Sequence, residues 1–220
     1  MIWVAFALTG LFAGFLAGYL GIGGGLVLVP VLSWLFSQDP ATADIAVQMA
    51  VATSLATMLF TSMSSLLAHH RRGAIIWSIV KQMLPGLLAG ALLGSVIADR
   101  IGNLALGYVF GVFALLVAMQ LLLGTGAAGN RPLPGRLPVA GTGFGIGTVS
   151  SLLGIGGGLV IVPMLLFCLA RQGISDHVIM HLALGTSMAS IMFTSISSFM
   201  AHHKRGAVRW EVVRRIVIGI

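Results

Sequence analysis

Apolar residues run almost unbroken over 2–20, stop at the cluster GIGGG (21–25) and resume over 26–36. A polar turn follows, SQDPATAD at 37–44, then an apolar stretch over 45–68 that ends in HHRRG. Two more apolar stretches cover 74–98 and 104–123. After a Gly- and Pro-rich segment the plan restarts: 139–153, GIGGG at 154–158, 159–170, a polar turn, 177–201 and HHKRG. Stretches of about 20 apolar residues fit the roughly 30 Å of bilayer hydrocarbon. The ten-residue alternation of a membrane barrel is absent. The pattern therefore predicts an all-α polytopic membrane protein.

The restart is a repeat in sequence. At a shift of 133 residues, GIGGGLVLVP (21–30) aligns with GIGGGLVIVP (154–163), nine of ten residues being identical. At the same shift, 14 of 24 residues match between 52–75 and 185–208. We expect two homologous repeats of about four spans each, each opening with a Gly-broken helix. The first is assigned to 1–124 and a basic linker to 125–138. The second, at 139–220, is expected to be truncated, because the counterparts of 87–123 are missing from it.

Composition sharpens this picture. The chain is 58% hydrophobic and only 8% charged, with a mean hydropathy of +1.05. So few charges cannot clothe a water-soluble surface, which excludes a soluble enzyme. The net charge of +7 comes from Lys and Arg lying between the apolar runs, as membrane topology requires, and does not point to nucleic acid. The lone cysteine, Cys168, excludes an internal disulfide and reads as a small apolar residue. The N-terminal run recurs inside the chain and lacks a basic leader, so it reads as retained rather than cleaved.

The basic clusters HHRR, the linker with Arg131 and Arg136, and HHKR are expected in the cytoplasm, with Asp39 and Asp44 outside. Parity then favours parallel repeats, provided that each broken segment crosses the membrane once. If that segment is a re-entrant hairpin, the repeats are inverted and one basic loop lies outside.

Three consecutive glycines cost a helix about 1 kcal/mol each. Unwound backbone is tolerated in a membrane only within protein or beside a watery cavity. The helix that restarts after each break has free N–H groups and a partial positive charge, which favours an anion. Paired broken helices in two repeats point to a transporter's substrate site; close helix packing is the competing reading. The site expected here comprises Gly23, Gly24, Gly25 and Pro30 with Gly156, Gly157, Gly158 and Pro163. The prolines are expected in the first turns of the restarted helices, where proline is tolerated.

Hydroxyls add to it. Thr53, Thr57, Thr61 and Ser64 share a helix face, and Thr186, Ser190, Thr194 and Ser197 repeat it. They can line a pathway or bond between helices. Thr53, Ser54, Thr186 and Ser187, near the outer ends of their helices, are the favoured ligands. His181 and Gln48, at equivalent positions, are candidates for proton or ion coupling. The HisHis pairs lack enough partner ligands for a metal site and read as interface anchors. No metal and no cofactor is expected. Gly86, Gly90 and Gly94, one turn apart, read as a packing face.

The doubled GxGGGxxxxP block, each followed by a Thr/Ser-rich helix ending in H-x-[RK]-x-G, resembles the sulfite exporter TauE/SafE family. The resemblance implies a multi-pass protein of the prokaryotic plasma (inner) membrane that exports small anions, sulfite or organosulfonates. It draws attention to the same glycines and prolines. A non-transporting membrane subunit or assembly partner is the alternative. An intramembrane enzyme is disfavoured, since no nucleophile–base pair or acid pair falls within a span. The lipid bilayer and a small anion are the expected partners; whether the chain forms a homo-oligomer stays open.

Overall fold

The computed structural model describes residues 10–16, 18, 19, 21, 23–123, 136–170, 176–203 and 208–217. Most of the linker (124–135), the second polar turn (171–175), Lys204 and Arg205 lie outside the described residues, as does the side chain of Cys168. All regular structure among the described residues is helical. Residues 10–16, 18 and 19 are helical, followed by α1 (Gly25–Ser37), a 3-10 turn (Ala43–Ile45), α2 (Ala46–Arg71), α3 (Trp77–Arg100) and α4 (Asn103–Leu123). Then come α5 (Arg136–Leu153), α6 (Gly158–Ala170), α7 (Asp176–His203) and α8 (Trp210–Val217). Among the described residues, three segments are long and apolar enough to cross a membrane: Ala43–Arg71, Trp77–Arg100 and Val178–His202.

The two Thr/Ser-rich helices, α2 and α7, run antiparallel at the centre. Near the start of α2, Thr53 Oγ1 accepts a hydrogen bond from the N–H of Arg209, beyond the end of α7. Near the start of α7, Thr186 Oγ1 accepts from the N–H of Ile76, beyond the end of α2. Gly185 packs on Ala74 and His69 at that same end. The two helices overlap from about Ala52 to His69, about 26 Å at 1.5 Å per residue. We call the end where α2 begins end A and the end where α7 begins end B. Gln48, Ile101, Asp99 and His202 lie at end A, since Gln48 Nε2 donates to the Ile101 carbonyl and His202 adjoins Asp99.

The broken segment α5–α6 reverses direction. Helix α5 packs along α3 in parallel: Gly86 faces Ala140, Gly90 faces Phe144 and Gly94 faces Thr148. It therefore runs from end B toward end A. After the break the chain returns. Gly156 lies at Thr194, whereas Val162 lies beside Leu184, both of these against Gly21, so α6 descends α7 toward end B. The broken segment thus begins and ends on one side. This corrects the expectation of a single crossing and of parallel repeats: HHRR ends α2 at end B, and α7 carries its HisHis pair to end A. Parity from basic loops misled because it treated the Gly break as a bend, whereas three left-handed glycines permit a reversal.

The glycines drive two kinds of close approach. On α3 and α5, a side chain at Gly86, Gly90, Gly94, Gly143 or Gly147 would strike the partner's backbone carbonyl, so the helices touch along their backbones. Apolar clusters fill much of the remaining core. One cluster joins Leu28, Leu32, Met49, Leu55 and Leu106, and a second joins Met83, Leu87, Ile146, Ile161 and Leu165.

Candidate functional site

Both breaks have the same backbone. Gly21, Gly23 and Gly24 have φ of 69°, 79° and 79°, and Gly154, Gly156 and Gly157 have 69°, 73° and 93°. Only glycine adopts these angles without strain. The reversal uses up the helix, and a new one starts at the next residue, Gly25 or Gly158. Gly24 caps α1 without any side-chain hydrogen bond. The first backbone bonds of α1 are those of Val27 and Leu28 to the Gly24 carbonyl, and those of α6 are Val160 and Ile161 to Gly157. The N–H groups of Gly25, Leu26, Gly158 and Leu159 therefore find no backbone acceptor among the described residues, as expected at a helix start.

The two breaks meet at the centre of the bundle. A side chain at Gly25 would strike the Gly154 carbonyl, the Ile155 Cα and the end of Met58. Gly23 lies against Ile155 and Ile191, and Gly156 against Met58 and Ile191. Met58 and Ile191 are counterparts at the shift of 133, and each reaches the other copy's break. The structure thus brings Gly23 and Gly25 together with Gly156. Pro30 and Pro163 stand at the sixth residue of α1 and α6, one turn deeper than expected. Lacking an N–H, they leave the carbonyls of Leu26 and Leu159 without their helical partner.

The hydroxyls hold the breaks in place. Ser54 Oγ donates to the Gly154 carbonyl at 2.7 Å, and Ser187 Oγ donates to the Gly21 carbonyl at 3.0 Å. Thr194 Oγ1 donates to the Gly156 carbonyl at 3.0 Å. Thr53, Ser54, Thr186 and Ser187 are fully buried. Thr53 and Thr186 do not converge: each lies toward a different end and receives an N–H of the other half. In the structure the hydroxyls of the stripe engage backbone groups. Thr57 and Ser190 donate to the carbonyls one turn back.

His181 and Gln48 are likewise at opposite ends. His181 is exposed at end B within electrostatic reach of His69, and Gln48 binds Ile101 at end A. Sequence reasoning passed over Ser150 and Ser151, both buried on α5 just before the second break. The signal was there in the run VSSLLGIGGG. It also read His202 as an interface anchor, whereas the side chain is 1% exposed.

No group of three or more His, Cys, Asp or Glu suited to a metal ion is found among the described residues. Beside the meeting breaks lie two helix starts, whose four N–H groups lack a backbone acceptor among the described residues, and carbonyls bonded by the hydroxyls of Ser54, Ser187 and Thr194.

The comparisons with known proteins point to membrane transporters. A "Probable membrane transporter protein" of Haemophilus influenzae is 34% identical over 72% of this chain, and the match spans 60% of that protein. "Probable membrane transporter protein YunE" of Bacillus subtilis is 28% identical over the whole chain and 85% of its own length. A "Probable membrane transporter protein" of Xylella fastidiosa is 26% identical over 96% of the chain. No solved structure matches. The sequence profile described as "Sulfite exporter TauE/SafE" matches residues 6–179 and again 139–220. The chain belongs to the sulfite exporter TauE/SafE family of membrane proteins.

Proposed function

We propose that this chain is a secondary transporter of small anions, sulfite or organosulfonates, and that the anion binds where the two GIGGG breaks meet. The observation that carries this reading is the pairing of two helix starts, at Gly25 and Gly158, beside a shared set of left-handed glycines. Buried N–H groups without acceptors are costly, about 1–3 kcal/mol each. An anion relieves that cost and is favoured by the partial positive charge of both helices. Dipoles hold it more weakly than a buried Lys or Arg, so it can leave again.

The inverted arrangement of α2 and α7 supports an alternating-access mechanism. Such repeats rock against each other around a fixed central site. The bonds Arg209–Thr53 and Ile76–Thr186 tie the halves at ends A and B respectively. Releasing one tie opens one side. We place end B in the cytoplasm of a prokaryotic cell, because HHRR lies there, whereas Asp39 and Asp44 precede α2 at end A.

Flux in proteoliposomes tests this. We expect uptake of sulfite and taurine above that of empty vesicles, with Gly24→Leu and Gly157→Leu inserted but inactive. Parent flux equal to that of empty vesicles would favour a non-transporting membrane subunit.

A further inference from the structure

We propose that His202 binds a proton that moves with the anion, reaching it from end A through Asp99; this rests on the transport reading above. His202 is the most deeply buried ionisable side chain among the described residues, at 1% exposure. Neither of its ring nitrogens reaches a hydrogen-bond partner. Asp99 Oδ1 stands 3.9 Å from Nδ1, too far for a direct bond but right for a slight closure or a bridging water. Asp99 is 29% exposed, so it connects the ring to end A. The Ser151 backbone lies near the ring, outside direct hydrogen-bond geometry, and the Ser151 hydroxyl is also buried without a partner.

The inner side leads to the glycine break. Ser195, Ser198 and His202 are spaced three and four apart on α7, so they share one face. All three are buried. Ser195 Oγ has no partner and lies 3.6 Å from where a Cβ on Gly156 would stand. A file of polar groups about 10 Å long thus runs from the break to His202, with Asp99 beyond it. Buried polar atoms are normally satisfied, so three orphaned residues in one file call for a resident that comes and goes.

The file is not a consequence of the repeat. At the shift of 133, Ser151 corresponds to Gly18 and His202 to His69, which is only half-buried. The charged groups on the elements packed around the ring are few. Helix α3 brings Asp99 and Arg100, Arg209 immediately precedes α8, and α8 carries Glu211, Arg214 and Arg215. Neither the start of α2 nor the end of α5 carries a titratable group, and Lys204 and Arg205 lie outside the described residues. Asp99 is the carboxylate within 4 Å of the ring among them. In the proposed step a proton arriving at the Asp99 carboxylate passes to a ring nitrogen of His202. It then moves along the hydroxyls to the site and leaves with the anion, restoring the neutral ring.

Two readouts test this on the full chain. In protein labelled with ¹⁵N-histidine, the signal absent from His202→Gln identifies the ring. We expect that signal to change with pH as the ring takes up a proton, and the midpoint of the change to move in Asp99→Asn. In proteoliposomes loaded with a pH dye, sulfite uptake by the parent should carry protons. In His202→Gln the proton signal should be lost while sulfite-for-sulfite exchange continues. Should that variant fail to fold, Asp99→Asn and Ser151→Ala should slow proton movement more than exchange. A ring that does not titrate, or proton flux undiminished in His202→Gln, overturns the proposal. A parent that moves no sulfite counts against the transport reading instead, and the ring titration then decides the proton site alone.

Discussion

Ser54 donates its hydroxyl to the Gly154 carbonyl at 2.7 Å, so a helix of one half pins the broken backbone of the other. The converse bond, Ser187 to the Gly21 carbonyl, is 3.0 Å long. Together they make each break depend on the other half for its shape.

These bonds set the first prediction. Ser54→Ala and Ser187→Ala should each lower stability in detergent by about 1 kcal/mol. That lies between the roughly 0.6 kcal/mol average for interhelical bonds in membranes and the 1–3 kcal/mol of a buried acceptor left unsatisfied. Thermal unfolding checks it. No loss in either variant would mean that the breaks hold their shape without these bonds.

How far the sequence could be read differs from feature to feature. The helices and breaks were legible because apolar length and Gly clustering are local signals: α1 and α6 begin within one residue of where the pattern put them. The packing role of Gly86, Gly90 and Gly94 was equally legible, since one face of small residues has one obvious use. The hairpin at 154–157 was not decided by local pattern. Three glycines permit both a bend and a reversal, and only the contacts Thr194–Gly156 and Val162–Leu184 distinguish them. The roles of Thr53 and Thr186 were hidden for the same reason. Their partners, Arg209 and Ile76, are more than 100 residues away, and no periodicity encodes that pairing.

Gly90 and Gly111 make a matched pair of tests. A side chain on Gly90 meets the Phe144 carbonyl and the Thr148 amide of α5 is close behind, whereas Gly111 on α4 has open space around it. Gly90→Ala should cost about 1–3 kcal/mol through overpacking. Gly111→Ala should be neutral or gain up to about 1 kcal/mol from helix propensity. Unfolding of the two variants side by side gives the comparison. Equal effects would contradict the backbone contact between α3 and α5.

Sidedness follows from the antiparallel pair α2 and α7. In a Cys168→Ser background, Arg72→Cys and Arg209→Cys are both exposed positions, one at each end. An impermeant maleimide applied to intact cells should label position 209 and spare position 72, with the reverse in inverted vesicles. Labelling of both from one side would contradict the inverted arrangement.

The central claim, that an anion is held by the amides at the two helix starts, has a direct readout. Labelling with ¹³C-carbonyl glycine and ¹⁵N-leucine selects only Gly–Leu pairs. This sequence has four: Gly10–Leu11, Gly25–Leu26, Gly86–Leu87 and Gly158–Leu159. Two report the site and two serve as internal controls. Adding sulfite to the protein in lipid should shift the Leu26 and Leu159 amide signals and leave Leu11 and Leu87 in place. Sulfite binding with Leu26 and Leu159 unmoved would contradict the account.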